Sequence, residues 1–190
     1  MYIFFKRVID LSFSFFCIIF LAPLFFLIVC LIKLNSKGPV IFKQKRVGLN
    51  YKIFTLYKFR TMTVNLKRSE EQTFLNDSEI FTTGRFLRRY KLDELPQIFN
   101  IFIGDMSLIG PRACLKSTYE EMPKWALRRF EIKPGLTGLA QVSGGIKLNW
   151  PQRWEIDIYY LTKQSFLLDI KIIFQTFLVL LFGEKIKKIN

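Results

Sequence analysis

Residues 11–32, "LSFSFFCIIFLAPLFFLIVCLI", carry no charge. No other feature limits the fold so strongly. As one straight helix, 22 residues would rise about 33 Å, enough to span a bilayer core. A secretory signal peptide fits poorly, because the run is long and no small-residue cleavage site follows it. The segment is therefore expected to stay and to enter the membrane. Ala22-Pro23 stands at its midpoint, where proline removes a helix hydrogen bond and forces a kink. Lys6 and Arg7 precede the run, and Lys33 and Lys37 follow it. Positive charge favours the cytoplasmic side. With both ends basic, a helix-break-helix hairpin returning to one side explains more than a single span, though composition leaves both open. Ser12 and Ser14 are expected to satisfy backbone carbonyls near the break or the interface.

Length and charge bound the rest. A chain of 190 residues reads as one domain with an appendage. We divide it into a membrane segment, 1–36, and a separate domain, 37–190. The net charge of +14 calls for an anionic partner: nucleic acid, anionic lipid or phosphorylated small molecules. Hydrophobic residues make up 51% of the chain, with 21 phenylalanines. A nucleic-acid binder has no need of such continuous apolar runs, so nucleic acid is set aside. The chain has no histidine, which excludes Ser-His-Asp and Cys-His nucleophiles and histidine-ligated metals. Cys17, Cys30 and Cys114 lack metal or redox spacing and read as small buried hydrophobes. Any metal would be held by oxygen, which points to Mg²⁺ or Mn²⁺.

The pattern after residue 37 predicts an α+β domain that is mainly helical. Short strands are expected around Val40–Lys43 and Lys52–Tyr57, joined by the turn Gly48-Leu49-Asn50. Residues 63–83 are polar and read as a loop or short helix without a core role. Helical periodicity begins at Gly84, and Pro96 suits the first position of a helix over 96–103 with Ile98, Phe99 and Phe102 on its apolar side. Further helices are expected over 119–131 and 151–163. Residues 166–182 predict an amphipathic helix lying along the membrane surface. From Lys133, "KPGLTGLAQVSGG" reads as a glycine-rich loop that cannot hold a regular element for long; its amides could wrap a ligand, but a structural turn is the simpler reading.

Asp93 and Glu94 stand side by side among Arg88, Arg89, Lys91 and Arg112. On their own they read most simply as a solvated salt-bridge patch. The competing reading is a site where acids and bases together handle a phosphate or a metal. Placed just before the helix at Pro96, they also lie where free amides favour negative charge.

Taken together, the apolar segment with its central proline, "KFRTM", "LDELPQIFN", "GDMSLIGPR", "PGLTGLAQV" and "DIYYL" resemble the bacterial sugar transferase family. These are small monotopic phosphoglycosyl transferases, and the likeness runs from Lys6 to about Phe182. The resemblance implies transfer of sugar-1-phosphate from a UDP-sugar to undecaprenyl phosphate, with release of UMP. It implies that Asp93 is the nucleophile of a covalent phosphosugar intermediate and that Glu94 helps to hold Mg²⁺. It places Pro111 and Arg112 of Gly-Pro-Arg near the phosphates. It places Pro134, Gly135, Thr137, Gly138 and Gln141 by the nucleotide. It also implies a re-entrant hairpin with both ends cytoplasmic, in the bacterial inner membrane.

The chemistry is coherent with the residues. A carboxylate attacking a phosphoanhydride needs charge neutralisation, which bases and a divalent ion supply. Lys58, Arg60 and Arg88 are candidate phosphate contacts; membrane lipids offer the same three bases a simpler partner. Three departures bear on ligand handling. Ala113 follows Arg112 where the family often has proline. Leu139 stands where it often has tryptophan. Ser143-Gly144-Gly145 replaces a common Asn-Gly-Arg, leaving Lys147 as a substitute for the missing arginine. For Glu155 and Asp157, pairing with local bases is at least as good a reading as metal binding. Sugar selectivity is expected in 63–83 and 143–149, and the aromatic-rich surface leaves room for a homodimer. The rivals are a membrane-bound glycosyltransferase that releases UDP and a non-catalytic basic membrane-surface scaffold.

Overall fold

The computed structural model describes residues 1–63 and 79–183. Helices α1 (Tyr2–Phe20) and α2 (Ala22–Asn35) meet at Leu21 with a bend of 60°. Pro23 lies in the first turn of α2, where its missing N–H leaves no helix bond unmade. Among the described residues no single helix is long and apolar enough to cross a membrane; only the bent pair qualifies, by length and composition. Its exterior is apolar, with Phe4, Phe16, Phe20, Phe26 and Leu34 exposed. On α1 the buried side chains are Asp10 and Ser14. The Ser14 hydroxyl donates to the carbonyls of Asp10 and Leu11, away from the break, while Ser12 is exposed.

The basic residues flanking the apolar run have defined partners. Arg7 donates to the carbonyls of Ile101 and Phe102 at 2.7 and 2.9 Å. Lys6 pairs with Asp169 at 2.7 Å, and the Tyr2 and Tyr160 hydroxyls donate to the same carboxylate. At the far end, the Arg60 guanidinium donates to the carbonyls of Ser36 and Lys37 at 2.8 and 2.7 Å. These contacts fasten α1 and α2 to the rest of the fold.

Strands β1 (Ile41–Val47) and β2 (Ile53–Phe59) pair antiparallel and run further than their sequence suggests. The connection turns through Asn50 and Tyr51, both at positive φ. Asparagine tolerates that conformation readily. The Tyr51 ring is held against Tyr119 and Phe130, with centroids 5.8 and 5.5 Å away. Helix α3 (Thr82–Arg89) starts two residues before Gly84. It lies so close to the chain after β2 that a Cβ on Gly84 would sit 2.1 Å from the Thr61 carbonyl oxygen. Ile80 is fully buried and bridges Met62, which corrects the expectation that 63–83 has no core role. Positions 64–78 lie outside the described residues.

Helix α4 (Gln97–Ile103) follows a 3₁₀ turn over Leu92–Glu94. Its buried apolar residues are Ile98 and Ile101; Phe99 and Phe102 are largely exposed, contrary to the face predicted. Phe99 instead meets Phe25 of α2, with ring centroids at 5.8 Å. Buried Asn100 accepts from the Tyr57 amide and donates to the Thr55 carbonyl, so α4 bonds to β2 as a strand neighbour would.

A second sheet was not expected. Strand β3 (Ser107–Ile109) pairs in parallel with β4 (Gly135–Thr137), inside the stretch read as a glycine-rich loop. The predicted helix over 119–131 is two pieces, α5 (Lys116–Glu120) and a 3₁₀ helix (Lys124–Glu131). Pro123 separates them, because proline disfavours helix at the preceding residue. Helices α6 (Leu139–Ser143), α7 (Trp150–Lys163) and α8 (Phe166–Phe182) complete the chain. The Asn149 and Gln152 side chains form a reciprocal cap on α7, as such boxes do. On α8, Leu167, Ile170, Phe174, Phe177 and Leu181 are exposed while Ile172 and Asp169 are buried. Of the cysteines, Cys114 is buried, whereas Cys17 and Cys30 are partly exposed on the hairpin.

Candidate active site

The site is built where three short segments converge. The first is the turn carrying Asp93 and Glu94 at the head of α4. The second is the last part of β2, which carries Lys58. The third is Gly110-Pro111-Arg112, directly after β3. Lys58 Nζ lies 2.9 Å from Glu94 Oε1. Arg112 holds Glu94 with two nitrogens, one of them 3.2 Å from Oε2 and the other on Oε1. Two cations thus grip a single carboxylate. Burial works against the charge on Glu94, but the charges of Arg112 and Lys58 and the hydrogen bonds they donate outweigh it. They hold the Glu94 carboxyl well below the usual carboxylate range. Burial also pulls the Lys58 ammonium down, against the opposing pull of Glu94.

Asp93 is in the opposite condition. Among the described residues no side chain hydrogen-bonds its carboxylate. Burial and the negative charge of Glu94 push its pKa up to about 6, while Lys58, Arg88 and Arg112 pull the other way. Adjacent carboxylates whose environments push them apart are the usual sign of divided roles. At neutral pH Asp93 is an anion to which no described side chain donates a hydrogen bond, more basic than an ordinary aspartate. That is what attack on a phosphorus requires.

The remaining expected residues surround these three segments. Arg88 donates from Nε to Thr61 Oγ1 at 2.8 Å, and its charge reaches Asp93. Arg60, expected at the phosphates, is buried and engaged with Ser36 and Lys37; in this arrangement it ties α2 to β2. The glycine-rich stretch supports Arg112 from behind. Gly135 N donates to the Pro111 carbonyl, Gly110 N to the Thr137 carbonyl, and Ser107 N to the Pro134 carbonyl. A Cβ on Gly135 or Gly138 would meet the backbone of Gly110 at 2.1 Å. Here glycine permits strand against strand. Thr137 Oγ1 bonds Thr176 on α8, and Gln141 Nε2 donates to Leu136, leaving a buried Oε1 without a partner. Lys147 is exposed.

One support escaped the sequence reading. Buried Arg129 pairs with Asp157 at 2.8 Å and donates to the Arg112 carbonyl at 2.7 Å. Asp157 therefore has the structural role weighed for it, whereas Glu155 is exposed. Nothing local signals a pair 28 residues apart.

Among the described residues no three metal-ligating side chains cluster. Two adjacent carboxylates still suit Mg²⁺, which binds through one or two carboxylates together with substrate phosphates.

Residues 1–183 match the family model for bacterial sugar transferases. The "Uncharacterized sugar transferase EpsL" of Bacillus subtilis (strain 168) is 39% identical over 97% of this chain and 91% of its own length. The "UDP-glucose:undecaprenyl-phosphate glucose-1-phosphate transferase" of Klebsiella pneumoniae is 39% identical over 90% of this chain, which spans 39% of that relative. An Aeromonas hydrophila "UDP-N-acetylgalactosamine-undecaprenyl-phosphate N-acetylgalactosaminephosphotransferase" is 37% identical over 96% of this chain and 45% of its own length.

Proposed function

The chain is an enzyme of the bacterial sugar transferase family, and from that premise we propose that it transfers sugar-1-phosphate from a UDP-sugar to undecaprenyl phosphate. The relatives' names supply the two substrates. The unequal state of Asp93 and Glu94 carries the mechanism. Asp93 attacks the phosphorus bonded to the sugar. The bond from that phosphorus to the bridging oxygen breaks, and UMP leaves with the bonding electrons. The sugar-phosphate is then an acyl phosphate on Asp93. A phosphate oxygen of undecaprenyl phosphate attacks the same phosphorus and releases the Asp93 carboxylate. The product is a diphosphate-linked lipid sugar.

Arg112 and Lys58 neutralise the phosphates as the bond to UMP breaks, and Arg88 adds charge beside the nucleophile. Glu94, held between the two cations, cannot compete as nucleophile. Glu94 would help to hold Mg²⁺ with the substrate phosphates, and the ion would supply further charge neutralisation there. The bent pair α1–α2 enters one leaflet and returns, with α8 along the surface, so a lipid phosphate meets the site at headgroup height. The domain faces the cytoplasm of the bacterial inner membrane, where UDP-sugars are found.

The test is nucleotide release. Purified protein in nanodiscs would receive Mg²⁺, undecaprenyl phosphate and a panel of UDP-sugars. Repeated turnover to UMP that depends on the lipid phosphate is expected. UDP as the released nucleotide would overturn the reading.

A further inference from the structure

The sheet β3–β4 has two strands, so one edge of β3 meets no strand. On the paired edge Ser107 donates its amide to Pro134, and Ser107 and Ile109 stand opposite Gly135 and Thr137. By strand alternation Leu108 turns its N–H to the other edge, and α1 covers that edge. A helix has already used its backbone groups on itself, so it can offer a buried N–H only a side-chain acceptor. Asp10 provides one. Its Oδ1 accepts from the Leu108 amide at 2.9 Å, and the residue is 3% exposed. One turn earlier, Arg7 holds the last carbonyls of α4. Helix α1 therefore grips two of the three segments that build the site. Asp93 and Glu94 stand at the head of α4, and Arg112 directly follows β3.

We propose that Asp10 is a positioning residue: its hydrogen bond to Leu108 fixes β3 against the membrane helix, so that Arg112 meets Glu94 and the substrate phosphates in register. This rests on the phosphoglycosyl transferase reading. The groups facing Asp10 include Lys133, which feels its charge, and Arg7, whose charge also reaches Lys133. A charge role must therefore be separated from a hydrogen-bond role. Asparagine can still accept from Leu108, but it carries no charge.

Asp10→Ala and Asp10→Asn would be compared in nanodiscs by UMP release and by amide hydrogen exchange. In Asp10→Ala, kcat is expected to fall by about tenfold to a hundredfold, the scale of a small misplacement, with KM for the UDP-sugar little changed. Exchange at Leu108 should accelerate. In Asp10→Asn both should return close to wild type. Unchanged kcat in a folded, membrane-bound Asp10→Ala would overturn the proposal. So would an Asp10→Asn as impaired as Asp10→Ala, which would assign the role to charge. If Asp10→Ala does not fold, Asp10→Asn decides alone, activity sustaining the proposal and loss overturning it. If the wild type releases no UMP, the functional reading fails, and exchange at Leu108 still decides whether Asp10 fixes β3.

Discussion

Two carboxylate–arginine contacts lie at either end of Arg112, and they differ in what surrounds them. Behind it, Arg129 and Asp157 form a closed pair at 2.8 Å, with side chains only 5% and 4% exposed. Nε and Nη2 of Arg129 both lie on one oxygen of Asp157, and the same Nη2 donates to the Arg112 carbonyl. In front, Glu94 meets two bases, and a second acid stands beside it without a hydrogen bond from any described side chain. The closed pair is complete within the protein. The open site gathers three cations, Lys58, Arg88 and Arg112, around two carboxylates, Glu94 and Asp93, and that excess of positive charge suits a phosphate. Burial and ion pairing are common to both, so neither marks function; the unequal stoichiometry does.

Substitutions can break this contrast. The largest effect is expected for Asp93→Asn, which removes the nucleophile and leaves the packing alone. Activity should fall by about a thousandfold or more, with the melting temperature close to wild type and membrane binding intact. Asp157→Ala should do the reverse. It strands a buried guanidinium, a loss of about 3–5 kcal/mol, read as a lower melting temperature, while the folded enzyme below that temperature keeps most of its kcat.

Two smaller effects sharpen the contrast. Because Asp93 works as an anion with a pKa of about 6, kcat/KM should fall as the pH drops below about 6 and level off above it. Glu94's charge raises that pKa, so the residual activity of Glu94→Gln should show its inflection at lower pH. An unmoved inflection would mean that Asp93 is not the titrating group. Smallest is Arg128→Ala, which opens the exposed Arg128–Glu131 pair. Such surface pairs contribute little, and neither melting temperature nor kcat should move measurably.

That Lys58, Glu94 and Arg112 come together was legible in the sequence because each sits in a short motif, and the helix at α4 has a proline to mark its start. The bend between α1 and α2 was legible because a proline interrupts 22 uncharged residues. What escaped depends on distance in the chain. Strands β3 and β4 are three residues each, too short for periodicity to show. Their parallel pairing joins segments 28 residues apart. Gly135 and Gly138 look like loop glycines until the Gly110 backbone is seen against them. Lys6 and Arg7 read as flanking charge, because Asp169 and the end of α4 cannot be placed beside them from composition. Arg60 sits in a basic cluster, and only the fold turns it toward Ser36 and Lys37.

The most direct measurement is a single turnover without lipid acceptor. Enzyme, Mg²⁺ and a matched UDP-sugar would be mixed, quenched, and examined by intact mass and peptide mapping. The account predicts one equivalent of UMP and a sugar-phosphate adduct on the peptide that contains Asp93, absent from Asp93→Asn and discharged by undecaprenyl phosphate. UMP formed only after the lipid phosphate is added, with no adduct at any time, or an adduct located on Glu94, would contradict it.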